Sequence, residues 1–198
     1  MKAEEWRIMV VSSAVIISLL LMYPYVSELV PSIDDDPFIA LGLLNEEGLA
    51  EGFPSSVNVN QEVTWNIYVS NEMNHIVYLN IICRLCALAD ESPNSTLCLP
   101  SAGALIFEKS LLVKDEGEAL FSFNWSILNQ TKSGTNSEIK QLSVNGETKA
   151  VSVQSGDGSY KIIIEAWVYD LGNREFSFNW ASGDQTRCAW NQIVFQVL

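Results

Sequence analysis

The most regular feature of the chain is a two-residue alternation of side chains. Val63, Trp65, Ile67 and Val69 alternate with Thr64, Asn66, Tyr68 and Ser70, and Ala119, Phe121, Phe123, Trp125 and Ile127 alternate with Leu120, Ser122, Asn124 and Ser126. Successive side chains of a strand point to opposite faces, so each run reads as a strand with one buried face. Tyr160 to Tyr169 is apolar with little alternation, as in a central strand, and Trp190 to Leu198 ends the chain on another strand. Turn signals punctuate these runs: Asn58 to Asn60, Asn71 to Asn74, Asp115 to Gly117, Gly156 to Gly158, and Gly172-Asn173. The strongest is Asn145-Gly146, because a type I′ hairpin needs positive φ at both central residues. Eight or nine strands follow, and no stretch after residue 30 has helical periodicity. The fold class expected is all-β, an antiparallel, immunoglobulin-like β-sandwich. The most polar stretch, Thr131 to Gly158, breaks the rhythm and reads as a protruding hairpin that decorates the domain.

The N-terminus follows a different pattern. From Ile8 to Tyr23 there is no charged side chain, and the apolar run reaches Val30 if Pro24 and Glu28 sit at an interface. A membrane-spanning helix needs roughly 17 to 25 residues, and Trp6, Tyr23 and Tyr25 lie where interfacial aromatics belong. A cleaved signal peptide is the rival reading, but no small-x-small cleavage site follows the run. Lys2 and Arg7 precede it, and after it only Arg84 comes before Lys109. Positive residues stay inside, so the expectation is a single-pass protein of the cell membrane with a cytoplasmic N-terminus and an extracellular C-terminal part. The organisation expected is an anchor over residues 1–30, an acidic neck over 31–37 and a β-sandwich domain over 38–198, with residues 8–30 contacting the lipid bilayer.

Charge narrows the partners. Twenty-four acidic residues against eleven Lys and Arg give a formal net charge of -13. Phosphate backbones call for clustered Lys and Arg, so no nucleic-acid partner is expected, and an acidic domain does not lie flat on anionic lipid. Asp34, Asp35 and Asp36 are adjacent rather than spaced as calcium-loop ligands, which makes the neck a solvated spacer.

Four cysteines, Cys83, Cys86, Cys98 and Cys188, are an even number in an exported domain, the condition for a disulfide framework with three possible connectivities. Cys83 shares the apolar phase of Val77, Leu79, Ile81 and Leu85, whereas Cys86 has the opposite phase, so the two are not expected to bond each other. Cys98 follows across a loop and can return to Cys86, which leaves Cys83 for Cys188 across the core. Three sequons, at Asn94, Asn124 and Asn129, are glycosylation candidates if the host modifies exported proteins.

Several short motifs resemble those of a family of archaeal membrane proteins with no assigned function, in which an extracellular β-sandwich follows a transmembrane helix. The carrying residues are Ser27-Glu28-Leu29, then Gly48 to Pro54 with Ala50-Glu51 before Phe53-Pro54, then Val69-Ser-Asn-Glu72, then Val77-Tyr78. Leu111 to Phe123 and Tyr160 to Tyr169 look like that family's later core strands. The resemblance implies a fold and an exterior placement, and it brings no catalytic residues.

Candidate chemistry is sparse. Cys83-Arg-Leu-Cys86 has thiol–disulfide spacing, but Ile81-Ile82 place it inside an apolar strand rather than at a helix N-terminus, where thiolates are stabilised. Zinc on the four cysteines would lack a second closely spaced pair. His75, the sole histidine, lies in a turn and has no histidine partner for a triad or metal site. Glu116 with Glu118, or Asp157 with Asp184, could support glycoside chemistry only at a defined separation. Trp65 and Trp125 have the core phase, while Trp180 and Trp190, around Gly183 and Cys188, are candidates for a surface contact or for packing at a disulfide. The expectation is therefore no enzyme, no cofactor and no metal site. The chain is read as a binding or assembly module of the cell envelope with an envelope or membrane-complex protein partner. The alternative is an accessory subunit that docks into a membrane complex through its single helix, on the small residues Ser12, Ser13, Ala14 and Ser18.

The topology is testable directly. Protease added to intact cells is expected to remove the domain and leave the N-terminus protected; protection of the whole chain reverses the orientation.

Overall fold

The computed structural model describes residues 36–182 and 184–198, together with residues 13, 16 and 18. The strands are β1 (Phe38–Leu44), β2 (Ser56–Val57), β3 (Val63–Glu72), β4 (Val77–Ala87), β5 (Ala104–Val113), β6 (Gly117–Ser133), β7 (Asn136–Val144), β8 (Glu147–Ser155), β9 (Ser159–Asp170), β10 (Glu175–Ser177), β11 (Trp180–Ser182), β12 (Gln185–Arg187) and β13 (Ala189–Val197). The anchor lies outside the described residues but for Ser13, Ile16 and Ser18, and so does the neck before Asp36. Among the described residues no helix is long and apolar enough to cross a membrane.

The domain is an all-β sandwich. One sheet has the order β1-β3-β6-β7-β8, and the other has the order β2-β13-β9-β4-β5, with β10 pairing the end of β9 beyond β13. The pairings in these two sheets are antiparallel except for the short parallel pair of β2 with β13. Through β1 to β9 the chain changes sheets between β1 and β2, β2 and β3, β3 and β4, β5 and β6, and β8 and β9. Between the sheets lies one hydrophobic core. Val63, Trp65, Ile67 and Val69 from β3 meet Leu79, Ile81, Cys83 and Leu85 from β4, with Phe123, Trp125 and Ile127 from β6 and Tyr160, Ile162 and Ile164 from β9. Its aromatic centre is Trp65 against Trp125 at 5.2 Å between ring centroids and Trp125 against Phe195 at 4.9 Å. Both tryptophans are core residues, as their phase requires.

Nine strands have seven or more residues, in line with the count read from the sequence; the four shorter ones have no periodicity to show. Asn145 and Gly146 have φ of 49° and 82°, the pair of values that a type I′ turn needs. The reading of Thr131 to Gly158 as decoration is overturned. β6 runs through it to Ser133, β7 and β8 complete the first sheet, and Ile139, Leu142, Val144 and Val153 are buried in the core. A register shift between Ile139 and Gln141 moves the buried phase by one residue, which hides the alternation.

Two devices lock the ends and the edge. Asn71 is fully buried: its amide nitrogen donates to the carbonyls of His75 (2.8 Å), Val113 (3.1 Å) and Lys114 (2.8 Å), and its Oδ1 accepts the Met73 N–H at 3.0 Å. One side chain thus joins the β3–β4 turn to the β5–β6 turn, which explains why an asparagine is needed in the Val69 to Glu72 motif. On edge strand β5, Lys109 has the inward phase and its ammonium lies 4.2 Å from the Phe121 ring centroid. An inward charge at a sheet edge discourages pairing with another chain.

Asn71→Ala is expected to cost about 2–3 kcal/mol by leaving buried carbonyls unpaired. Asn71→Asp, which cannot donate and sets a carboxylate against three carbonyls, is expected to cost more. Denaturant unfolding measures both; equal stability of either variant with the parent would show that the pin does not hold the two turns.

Candidate functional site

The second sheet has an outer face of unusual character. Along β9, Tyr160, Ile162, Ile164 and Ala166 face the core, and Lys161, Ile163, Glu165 and Trp167 face away, yet all but Trp167 are buried. The cover is the 88–103 loop between β4 and β5, which lies over this face. Ile82, Cys86 and Ile163 on the sheet and Cys98 in the loop are buried outside the main core.

Charged groups hold the cover down. The Glu165 carboxylate has no solvent exposure. Its Oε1 accepts from both N–H and Oγ–H of loop residue Ser101 at 2.7 Å, and its Oε2 accepts from Arg84 Nε at 3.3 Å and Trp167 Nε1 at 3.1 Å. Arg84 also donates to the Gly103 carbonyl at 3.1 Å. The Lys161 ammonium donates to the carbonyls of Leu88 and Asp90 and to Ser92 Oγ. A buried charge is tolerable only when it is paired and hydrogen-bonded, and here each loop contact supplies part of that pairing. Gly103 fits because an added Cβ would overlap Cys86 Sγ and lie 2.8 Å from the Leu85 carbonyl oxygen.

The loop leaves the other end of this face open, and there the surface is aromatic. Leu112 on β5 pairs with Tyr78 on β4; the Tyr78 and Tyr169 rings are 5.8 Å apart, and Phe176 on β10 lies 5.1 Å from Tyr78 and 5.3 Å from Tyr169. Leu112 is 69% exposed, Tyr78 42%, and Leu171, in the turn after β9, 83%. Next to this row, Asn80 donates to Glu108 at 2.6 Å and accepts from Ser110 Oγ at 3.2 Å. The result is an apolar strip with a polar border across four strands. Hollows elsewhere include a polar one of about 360 Å³ lined by Thr131, Ser133, Glu138 and Gln154, and a mixed one of about 430 Å³ lined by Leu105, Phe107, Glu108 and Val144.

The cysteines are distributed differently from the pairing read from the sequence. All four are thiols in this structure. Cys83 faces the core and Cys86 the outer face, as their phases require. Cys83 pairs with Ile164 on β9, which pairs with Asn191 on β13, so Cys83 is two strand spacings from the strand that follows Cys188. That is about 9.6 Å, beyond the roughly 7 Å limit between disulfide Cα atoms. Cys86 lies against Gly103. Cys98 instead contacts the Ser95 carbonyl at 3.6 Å, the Thr186 carbonyl at 3.7 Å and the Cys188 thiol. The structure therefore replaces the Cys83–Cys188 and Cys86–Cys98 pairs with a contact of Cys98 and Cys188. Burial raises the Cys83 thiol well above its ordinary pKa and, with the Asp90 charge, pushes Cys86 up to about 11. A redox-active thiol needs the opposite shift.

The remaining candidates are scattered. His75 is exposed in its turn, with Nδ1–H donating to the Met73 carbonyl at 2.7 Å. Glu118 accepts from the Tyr68 hydroxyl at 2.7 Å, Glu116 sits in the preceding turn, and the Asp157 carboxylate accepts from Ser155 and Ser159. Asp184 lies in a separate turn between β11 and β12. Trp180 is buried in the main core, and Trp190 donates from Nε1 to Ser95 Oγ at 3.1 Å, beside the loop segment that carries Cys98. Asn94 and Asn129 are exposed and Asn124 is half-buried. Among the described residues no group of three or more His, Cys, Asp or Glu side chains is placed to hold a metal ion. Sequence reasoning missed the aromatic row and the Glu165 network. The available signal was a pair of charges, Lys161 and Glu165, four apart and hence on one face of an otherwise apolar strand.

No protein-family model and no curated protein matches the chain. Among solved structures it is similar to the CARDB domain of a Pyrococcus furiosus protein, solved in complex with di-metal ions, at 13% identity over 84% of this chain and 97% of that one, TM-score 0.43. It is also similar to a chain of the complex between zinc 2-glycoprotein and prolactin inducible protein from human seminal plasma, at 10% identity over 84% and 100%, TM-score 0.42. A β-glucosidase from Listeria innocua, in complex with glucose, matches at 8% identity over 81% of this chain and 16% of that one, TM-score 0.40. Each TM-score is below 0.5, and no function is carried over from any of them.

Two outcomes follow from this geometry. Arg84→Met leaves the Glu165 carboxylate without its cation and is expected to cost about 3–5 kcal/mol, measured by denaturant unfolding. The fold also retains the Cys86 proton that the unfolded chain releases from about pH 9, so the stability this gives is complete below pH 9 and is lost as pH rises towards about 11. Cys86→Ala is therefore expected to lose less stability than the parent across that interval. Parallel pH profiles would contradict it.

Proposed function

We propose that the chain is a membrane-anchored, non-catalytic binding or assembly module: an immunoglobulin-like sandwich held outside the cell by residues 8–30 and engaging a protein of the cell envelope. The observation that carries this reading is the row of exposed Leu112 and Tyr78 with half-buried Tyr169 and Phe176, on a face whose other half is covered by a loop. Aromatic side chains bury a large area at low entropic cost and are enriched where partners bind. The net charge of -13 and the absence of Lys or Arg from the polar border of Asn80, Glu108 and Ser110 favour a protein surface over nucleic acid. The N-terminal apolar run and its flanking Lys2 and Arg7 support the anchor and the orientation.

The test is co-sedimentation of the detergent-extracted full chain with isolated envelope sheets from its host. Tyr78→Ser and Phe176→Ser are each expected to weaken binding about tenfold or more. Leu120→Ser, at a site 62% exposed on the other sheet, is expected to bind like the parent. Equal binding by all three variants removes the aromatic row from the interaction. Steady turnover of a peptide, ester or glycoside, lost on changing one carboxylate, would replace the module with an enzyme.

A further inference from the structure

We infer that Cys98 and Cys188 form a disulfide that fastens the 88–103 loop to the segment entering β13, while Cys83 and Cys86 remain thiols. The two thiols that face each other come from elements remote in sequence. Cys98 sits in the loop with φ of 48°, a backbone conformation that a non-glycine residue adopts at a cost, and its Sγ points at the Thr186 carbonyl, 3.7 Å away and two residues before Cys188. A second contact keeps the same elements in register: Trp190 Nε1–H donates to Ser95 Oγ at 3.1 Å, so residues two after Cys188 and three before Cys98 also meet. Cys98 is 2% exposed and Cys188 is half-buried, so an incoming reagent reaches Cys188 first. Neither of the other cysteines competes: Cys83 is in the core and Cys86 is enclosed by Gly103.

The chemistry is thiol–disulfide exchange with a small-molecule or protein disulfide as oxidant. The Cys188 thiolate attacks one sulfur of that disulfide, forming a mixed disulfide and expelling the first thiol, which takes up the Cys188 proton. Cys98 then gives up its proton and attacks Cys188 Sγ, forming the Cys98–Cys188 bond and expelling the second thiol with that proton. Two protein thiols are oxidised and one external disulfide is reduced to two thiols. Burial and the adjacent Cys98 push the Cys188 thiol up to about 12, so the folded dithiol reacts slowly and the bond closes as the chain folds.

The bond complements the polar contacts of the cover. Glu165 holds the loop at Ser101, Lys161 holds it at Leu88 to Ser92, and the disulfide holds the segment between them, where Leu97 and Leu99 are exposed on either side of Cys98. The proposal rests on the exterior placement for its oxidant in the cell.

The full chain, extracted in detergent with an alkylating agent present, is digested without reduction and mapped by mass spectrometry. The expected product joins the Cys98 and Cys188 peptides, with Cys83 and Cys86 alkylated only after denaturation. Reduction of the intact protein is expected to lower Tm by about 10 °C. A peptide linking Cys83 or Cys86 to either of the other two overturns the inference. If the extracted protein carries four thiols, it is unfolded and refolded with oxidised and reduced glutathione. Recovery of the Cys98–Cys188 link then upholds the pairing and rejects the exterior placement, whereas failure to form it rejects the pairing.

Discussion

The buried carboxylate of Glu165 is the constraint around which the second sheet is organised. A carboxylate with no access to water must have its lone pairs met by donors from the protein, and a central strand supplies none from its own backbone, which is committed to its neighbours. Arg84 from β4 and Trp167 from β9 meet one oxygen, and Ser101 meets the other only because the 88–103 loop folds down over the strand. Lys161, two positions beyond Ile163 on the same face, makes the same demand of opposite sign and is answered by the carbonyls of Leu88 and Asp90. The loop is thereby held by charge at both ends, and the central strand β9 is buried on both faces from Ser159 to Ala166.

This arrangement divides the face. Where the loop lies, Gly103 packs so closely against Cys86 and Leu85 that it has no space for a side chain of its own. Where the loop does not reach, the same strands present Tyr78, Tyr169 and Phe176 without a cover. On the proposed reading, the uncovered aromatic end of this surface is where the partner docks. The first sheet shows no comparable contrast: its outer face mixes paired polar groups, such as Tyr68 with Glu118 and Ser122 with Asn66, with the exposed apolar side chain of Leu120.

The far ends of the sandwich are governed by a different economy of donors. Asn71 uses one amide to satisfy carbonyls from two turns that belong to different sheet crossings, so the turns cannot shift independently. Lys109 turns an exposed edge into an unattractive one for strand addition, while its stem and charge still pack over Phe121.

What the chain determined by itself was local. Alternation is a property of neighbouring residues, so the core phase of Trp65, Trp125 and Cys83, the Asn145-Gly146 hairpin and the sandwich class were all legible without coordinates. A bulge was enough to defeat that logic at Ile139 and Gln141, where one extra residue reversed the phase and hid that the two strands of this hairpin face the core. The pairing of cysteines was not local at all. Phase placed Cys83 and Cys86 on opposite faces, but only the strand order β13-β9-β4 showed that Cys83 lies too far from Cys188, and only the descent of the loop onto Glu165 brought Cys98 to it. The aromatic row was invisible for the same reason: Leu112, Tyr78, Tyr169 and Phe176 come from four strands, and a surface shared among strands exists only once tertiary pairing has set their register.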